Sequence, residues 1–284
     1  MRRVLVAAAL LLAASFAAGC AAQEEKKAKD LVIELPEQEE TEKNDAQTGG
    51  EEEKSSQDAE EAETQNQEKK GILISIDPGH QSPSVDMSDQ EPNAPGSDVM
   101  KTKATGGTSG RYSGLAEYEL NLDISLQLRD KLQEQGYDVI MTREDNDTAI
   151  SNAERARMAN EAGADIAIRI HANGSESSDA NGALVLIGSA ENPYVGSLYD
   201  QSFSLGQSVL DSYCESTGMQ NLGVQTNDTM TGINWSEIPV IILEMGFMTN
   251  QQDDLNMADP DYQVKMVDGI ADGINAYCES SLNN

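Results

Sequence analysis

Two stretches decide the fold: Gly-Ile-Leu-Ile-Ser-Ile-Asp-Pro-Gly-His at residues 71–80 and Ala-Asp-Ile-Ala-Ile-Arg-Ile-His-Ala-Asn-Gly at 164–174. Each is a short, isoleucine-rich run that ends in turn residues, which is typical of an interior strand of a sheet. His80 and His171 stand at the two strand ends and are the only histidines of the chain. A single histidine is more often structural, but ligands collect at the carboxyl ends of strands in open α/β sheets. We therefore interpret the pair as metal ligands.

The other apolar runs alternate between strand and helix patterns. A serine followed three residues later by a glutamate, at 151–154, is a capping box that begins the second helix. The alternation predicts an α/β fold: a single domain with a twisted, mostly parallel sheet flanked by helices on both faces. Strands are predicted at 72–77, 137–142, 165–170, 183–187 and 239–243, and helices at 115–135, 151–163, 199–216 and 262–282.

Composition divides the chain into three parts. Residues 1–20 are predicted to be a lipoprotein signal peptide, because two arginines precede an apolar run that is too short to span a membrane. Residues 21–70, rich in Glu, Gln, Lys, Ala and Ser, cannot bury enough apolar surface to fold and are predicted to be a disordered acidic linker. Residues 71–284 are long enough for one substantial core and are predicted to be the folded domain.

The signal peptide ends in Ala-Ala-Gly-Cys, which resembles a bacterial lipobox with Cys20 as the lipidated residue. An ordinary signal peptide with an incidental cysteine is the alternative. Two acyl chains hold a protein stably on a membrane. We expect an exported protein that is lipid-anchored through Cys20 to the outer face of the bacterial cell membrane.

The chain is strongly acidic, with a formal net charge of −31. This charge excludes a nucleic-acid partner and a basic patch that binds anionic membranes. We expect a monomer. Cys214 and Cys278 fit no zinc knuckle, and the sequence leaves open whether they form a disulfide or remain free thiols.

Several acidic residues compete as a third metal ligand beside the histidines. Catalytic zinc takes three protein ligands, typically histidines and a carboxylate, and leaves a position for water. Glu117 begins the first long helix, and Glu119 lies about 200° further round it, so the two cannot face one point. Asp77 is expected to shape the turn or to hydrogen-bond a ligand's second nitrogen. The residues alone leave the choice open.

Glu244 ends the apolar run Pro-Val-Ile-Ile-Leu at 239–243. A carboxylate at the end of a buried strand is costly unless it has a partner or a chemical task. Desolvation would raise its pKa toward the range that suits proton transfer. A salt bridge to a nearby arginine is the structural interpretation. The functional one is a general base beside zinc that takes a proton from the attacking water and returns it to the departing nitrogen.

Five ordered motifs carry a resemblance to a known family: Ile-Asp-Pro-Gly-His at 76–80, Gly-x-x-Glu at 114–117, Thr-Arg at 142–143, Ile-His-Ala-Asn at 170–173 and Leu-Glu-Met-Gly-Phe-Met-Thr-Asn at 243–250. Together they resemble the zinc-dependent N-acetylmuramoyl-L-alanine amidases of the type 3 amidase family, here in lipoprotein form. These enzymes are cell-wall hydrolases, and the resemblance covers essentially all of residues 71–284.

The resemblance implies a Zn²⁺ site of His80, Glu117 and His171, with Glu244 as the catalytic acid and base. It therefore favours Glu117 as the third ligand and makes 71–284 the amidase catalytic domain. It also implies peptidoglycan as the substrate, cleaved at the amide bond between N-acetylmuramic acid and L-alanine of the stem peptide.

The chain departs from the family pattern in places that remove no proposed ligand. Gln81 stands where many members have glycine, and Arg169 stands where serine is common. The polar segment 81–113 is a mobile lid or an inert insertion, and both remain open. Two other functions also remain open: another zinc peptidase or amidase on the same scaffold, and a non-catalytic lipoprotein that binds cell-wall fragments.

Overall fold

The computed structural model describes residues 69–282. The predicted signal peptide, with Cys20, and the predicted linker up to residue 68 lie outside the described residues. The strands are β1 (Leu73–Pro78), β2 (Gln90–Pro92), β3 (Met100–Thr102), β4 (Asp138–Met141), β5 (Ile166–Asn173), β6 (Ala183–Ile187), β7 (Asn221–Thr226) and β8 (Val240–Phe247). The helices are α1 (Glu117–Glu134), α2 (Asn152–Glu161), α3 (Tyr199–Thr217), α4 (Thr231–Asn234), α5 (Gln251–Met257) and α6 (Pro260–Ser281), with a 3₁₀ turn at Gly196–Leu198.

Six strands form one sheet in the order β4-β1-β5-β8-β6-β7. Neighbouring strands are parallel except that β6 runs antiparallel to β8. Helices α1, α3 and α6 cover one face over a core that includes Ile76, Ile170 and Leu243, while α2 and α4 cover the other around Ile233 and Ile242. The predicted α/β fold, a mostly parallel sheet between helices, is confirmed for the described residues.

The helices bear on three further points: membrane spanning, the state of the two cysteines and the predicted capping box. Within residues 69–282, none of the helices combines the length and the apolarity needed to cross a bilayer. Cys214 on α3 and Cys278 on α6 are free thiols, so the structure takes the second of the two possibilities that the sequence leaves open. The capping box that begins α2 is present, with Ser151 Oγ accepting from Glu154 N and the Glu154 carboxylate accepting from Ser151 N.

Strands β5 and β8 extend beyond their predicted ends. The sequence places His171 and Glu244 directly after the strands, whereas the structure places both inside them. The two strands continue to pair with each other as far as Asn173 and Phe247. A neighbouring strand therefore satisfies the backbone polar groups there, and the polar residues do not end either strand.

Strand β7 and the hairpin formed by β2 and β3 are not predicted from the sequence. Strand β7 lies at the edge of the sheet, all of its residues are exposed or half-buried, and its sequence accordingly has no apolar run. The hairpin is held by Trp235, whose Nε1 donates a hydrogen bond of 2.9 Å to Pro92 O. The Arg157 guanidinium lies over the same indole ring. The single tryptophan thus packs the hairpin against the helices of one face.

Asp77 is the centre of a buried ion cluster that joins β1, β5 and α2. Its carboxylate accepts hydrogen bonds from Arg155 Nη1 (2.6 Å), Arg169 Nε (2.7 Å) and the Thr142 hydroxyl. Burial acts to raise the pKa of Asp77, but the two guanidinium groups and Thr142 outweigh it and hold the pKa well below its usual range. Asp77 therefore contributes stability above its unfolded pKa of about 3.9, and this contribution is lost as the pH falls below that value.

We expect Thr142→Val to lower the free energy of unfolding by about 1.5–3 kcal/mol, because valine keeps the shape but removes a hydrogen bond to a buried charge. Urea-induced unfolding at pH 7 measures the loss. Thr148→Val is the matched control, since the Thr148 hydroxyl donates to the exposed Asp145, and a surface change should cost less than about 0.5 kcal/mol. Equal effects of the two variants would contradict a special role of the Asp77 cluster.

Candidate metal centre

The candidate site lies where the carboxyl ends of β1, β5 and β8 meet. Alternation along the strands places Arg169 and His171 of β5 on the same face of the sheet as Glu244 of β8, and His171 lies directly opposite Glu244 in the register. His80 lies two residues beyond the end of β1. The centroids of the His80 and His171 rings lie 4.8 Å apart. The structure therefore brings together two histidines that are far apart in the sequence.

Glu117, the first residue of α1, lies between the two histidines and is 3% exposed. Its Oε1 is 3.1 Å from His80 Nε2 and 3.3 Å from His171 Nδ1. Backbone amides hold the same carboxylate, with Thr108 N donating to Oε2 (2.8 Å) and Ala172 N to Oε1 (3.2 Å). Burial acts to raise the pKa of Glu117, but its hydrogen bonds with His171 and His80 keep the pKa well below the usual range. The carboxylate is therefore an anion at neutral pH.

These three residues form a set of possible metal ligands. His80, Glu117 and His171 offer ligand atoms that all lie within 4.8 Å of one another. Across residues 69–282, no other group of three His, Cys, Asp or Glu side chains is arranged in this way. Glu119 takes no part, because its carboxylate accepts from Ala116 N at the beginning of its own helix.

The chemistry of His171 fits a metal ligand. Burial lowers the pKa of His171 to about 4, although the hydrogen bond to Glu117 acts in the opposite direction. The ring is therefore neutral at pH 7, as a metal-binding imidazole must be. Its Nε2 is buried and has no hydrogen-bond partner, which is rare for a buried polar atom. Two histidines and a glutamate are a set that zinc takes in proteins, so the residues present fit a zinc ion.

Thr105, rather than Asp77, is the residue that orients the His80 ring. His80 Nδ1 lies 3.0 Å from Thr105 O and 3.1 Å from Thr105 Oγ1, which leaves Nε2 facing Glu117. Asp77 hydrogen-bonds neither histidine and pairs with arginines instead. Two roles are expected for Asp77. The prediction that it shapes the turn agrees with the structure. The prediction that it hydrogen-bonds the second nitrogen of a histidine ligand is wrong.

The turn that carries His80 is held by two arginines. His80 has a φ of 62°, a left-handed conformation that is uncommon for residues other than glycine. Arg143 donates from Nε to Pro78 O and from Nη2 to Gly79 O, and Arg155 donates from Nη2 to His80 O. A Cβ at position 79 would overlap the His171 ring. The turn therefore requires glycine at position 79, and guanidinium groups donate hydrogen bonds to the carbonyl oxygens of all three of its residues, 78–80.

Glu244 faces the same site, and its carboxylate has no partner among residues 69–282. No residue in the described range 69–282 donates a hydrogen bond to its carboxylate or forms an ion pair with it. The salt bridge considered from the sequence is therefore absent there, and Arg169 bonds to Asp77 instead. Burial raises the pKa of Glu244 to about 8, and the negative charge of Glu117 acts in the same direction. A carboxyl group of this kind can both accept and return a proton near neutral pH.

The site opens into two clefts that share His80, His171 and Glu244. The first has a volume of about 560 Å³ and is also lined by Arg111 and the segment 172–176. The second, of about 390 Å³, lies between the β2–β3 hairpin and the residues around α4. The three shared residues are therefore accessible from both clefts.

Two residues that support Glu117 were not found from the sequence. Thr108 uses its backbone amide, which the identity of a side chain cannot reveal. The nearby glycine-rich stretch is a sequence signal of this close approach to Glu117, since a Cβ at Gly107 would lie 2.5 Å from Glu117 Oε2. Asn121 was within reach of sequence reasoning, because it follows Glu117 by four residues on the helix. Its Nδ2 lies 3.4 Å from Glu117 Oε1 and 3.2 Å from Gly79 O.

Comparisons with known proteins agree with this arrangement. A family model described as N-acetylmuramoyl-L-alanine amidase, Amidase_3, matches residues 74–276. Over 209 residues the chain is 30% identical to the N-acetylmuramoyl-L-alanine amidase LytC of Bacillus subtilis (strain 168), a match that covers 73% of this chain and 36% of LytC. The chain thus spans about a third of the length of that relative. It is 27% identical over 222 residues to the germination-specific N-acetylmuramoyl-L-alanine amidase of the same organism, covering 73% of this chain and 80% of that protein.

A solved structure shares the fold. The crystal structure of the N-acetylmuramyl-L-alanine amidase Ami1 from Mycobacterium smegmatis superposes with a TM-score of 0.68 at 25% identity. The match covers 74% of this chain and 98% of the Ami1 chain. The sheet that positions the candidate site is therefore that of a known amidase structure.

We expect His171→Ala to abolish zinc binding, because the substitution removes one of the three candidate ligands that the fold places together. Inductively coupled plasma mass spectrometry of protein dialysed in zinc-containing and then metal-free buffer measures the metal content. Glu244→Gln is the control and should keep its zinc, since Glu244 is outside the ligand set. Undiminished zinc in a folded His171→Ala protein would show that His171 is not a ligand.

Proposed function

Because the chain belongs to the Amidase_3 family of N-acetylmuramoyl-L-alanine amidases, we propose that it is a zinc-dependent peptidoglycan hydrolase. It cleaves the amide bond between N-acetylmuramic acid and L-alanine of the stem peptide. The observation that carries this proposal is the meeting of His80, Glu117 and His171 beside the unpaired carboxyl group of Glu244. Metal-assisted amide hydrolysis uses a ligand set of this kind next to a group that accepts and returns a proton.

His80, Glu117 and His171 are the residues that would hold the zinc ion. Zinc supplies a Lewis acid that polarises the scissile carbonyl and makes the attacking water more acidic. Glu117 brings the negative charge to the ligand set, since its pKa is depressed by its hydrogen bonds with the histidines. The amides of Thr108 and Ala172 fix the carboxylate in place before any ligand arrives, so little ordering is left to be done on binding.

Glu244 carries the proton in the proposed reaction. Its carboxylate takes a proton from the water as the water attacks the carbonyl carbon. The same oxygen then gives the proton to the departing nitrogen, which leaves as the free amino group of L-alanine. A pKa raised by burial suits both halves of this task. The pairing of β8 with β5 sets Glu244 beside His171, so the base is placed by the sheet and not by a loop.

Two other functions make different predictions. Another zinc peptidase or amidase on this scaffold would use the same residues but release a different product. A non-catalytic lipoprotein that binds cell-wall fragments has no need of a proton carrier beside the metal ligands. The free, raised-pKa carboxyl group of Glu244 therefore favours an enzyme over a binding protein.

We expect the zinc-loaded protein to release stem peptides with a free amino-terminal alanine from purified peptidoglycan, as read by mass spectrometry. Glu244→Gln should reduce the rate by about 10²–10⁴-fold, the usual contribution of a positioned acid or base, while it keeps its zinc. Full activity of this variant would contradict the role of Glu244. Intact lactyl amides together with other cleavages would point instead to a different hydrolase.

We also propose that the protein is exported and lipid-anchored to the outer face of the bacterial cell membrane through Cys20, on the evidence of the Ala-Ala-Gly-Cys motif. Cys20→Ala should move the protein from the membrane fraction to the soluble fraction, because stable anchoring takes two lipid chains. Detergent phase partitioning of cells that produce each form measures the change. Equal retention of both forms in the membrane fraction would rule out a lipid on Cys20.

A further inference from the structure

Arg111 is an unusual cation in this protein. Acidic residues outnumber lysine and arginine by 50 to 19 over the whole chain, and yet some basic side chains, Lys101 and Arg111 among them, form no ion pair within residues 69–282. Within residues 69–282, most lysines and arginines contact a carboxylate, an aromatic ring or several carbonyl groups. Arg111 forms no ion pair there, and its guanidinium makes one hydrogen bond, from Nη2 to Ser175 O at 3.2 Å.

Arg111 lies in a position from which its guanidinium can bind an anionic ligand. It lines the larger cleft together with His80, Glu117, His171 and Glu244, and no other lysine or arginine lines that cleft. The remaining charged side chain of the lining, Glu176, is acidic. An anionic group that enters the larger cleft therefore has one positively charged side chain there to bind, whereas Lys101 and Arg169 line the second cleft.

The loop that presents Arg111 is fixed in place by a buried carboxylate. Arg111 N donates to Met248 O at 3.0 Å. The next two residues donate to Asp254, which is 1% exposed: Tyr112 N at 2.7 Å and Ser113 N at 3.0 Å, with the Ser113 hydroxyl as a third donor. A binding group on a backbone that is already ordered loses less entropy when the ligand arrives.

The contact between this loop and Asp254 also requires glycine at position 110. A Cβ at Gly110 would overlap the Asp254 carboxylate, so glycine at this position permits the close approach of the loop to α5. Asp254 takes no part in the proposed chemistry. Its buried charge is explained by the three donors of the loop that follows Gly110.

We propose that Arg111 is a specificity residue that binds the free α-carboxylate of the second stem residue, D-glutamate. The proposal rests on the amidase function proposed above. In the stem peptide this residue continues through its γ-carboxyl group, so its α-carboxylate is the first negative charge beyond the alanine at the scissile bond. A guanidinium binds a carboxylate through two parallel N–H donors. One N–H of the Arg111 guanidinium donates to Ser175 O, and its other N–H groups remain available to bind the substrate.

The test uses the full-length zinc-loaded protein and two muramoyl dipeptides that differ in one group. One ends in D-isoglutamate, with the free α-carboxylate, and the other in D-isoglutamine, with a carboxamide. The parent protein should favour the carboxylate substrate by about tenfold or more in kcat/KM, the size expected for a hydrogen-bonded charge. Arg111→Gln should abolish this preference by raising KM for the carboxylate substrate while kcat changes little. Arg111→Lys should restore part of it, since lysine keeps the charge but not the paired donors.

Arg129→Gln is the matched control. Arg129 lies on α1 and forms exposed ion pairs with Asp130 and Glu144, so its loss removes the same charge away from the cleft. The control should keep the preference of the parent protein. A parent protein that cleaves both substrates equally, or an Arg111→Gln variant that keeps the preference, overturns the role of Arg111 and leaves the amidase proposal standing. A parent protein that cleaves neither dipeptide and releases no stem peptides from peptidoglycan overturns both.

Discussion

The buried carboxylate of Asp77 is the constraint on which the rest of the site depends. It binds Arg155 from α2 and Arg169 from β5 at 2.6 and 2.7 Å, so three elements are held in one arrangement at the carboxyl end of β1. Breaking a buried pair leaves an uncompensated charge, which typically costs about 3–5 kcal/mol. Arg155 also reaches His80 O, so the same cluster that orders the sheet holds the left-handed turn beside it.

The site uses two carboxylates that the protein treats in opposite ways. Glu117 receives two backbone amides and the Asn121 side chain, and its hydrogen bonds with His171 and His80 keep its pKa low despite burial. Glu244 receives no donor from any described residue, and burial beside a negative charge raises its pKa to about 8. The number of hydrogen-bond donors decides which carboxyl group stays ionised and which can carry a proton. A divalent cation held at Glu117 would counteract the rise in the pKa of Glu244, because a nearby positive charge favours the ionised carboxylate.

The segment 81–113 also contributes hydrogen bonds that position the residues of the site. The segment 81–113, which the sequence leaves as a lid or an inert insertion, supplies Thr105 to orient His80 and Thr108 to hold Glu117. Its last residues are bound to α5 through Asp254. Much of this segment is therefore part of the support of the site, and Arg111 is presented on a backbone that its neighbours have already fixed.

The sequence by itself determined the α/β fold, because strand and helix runs have distinct apolar periods that need no tertiary information. It also determined that His80 and His171 would meet, because parallel strands end at one edge of a sheet. Glu117 entered from the family motifs, since many acidic residues competed for the same place. Only the tertiary structure decided how far β5 and β8 extend, which arginines Asp77 binds, and that no residue in the described range 69–282 pairs with Glu244. Those outcomes depend on backbone donors and on contacts between residues distant in the chain, and neither is written in the identity of a single residue.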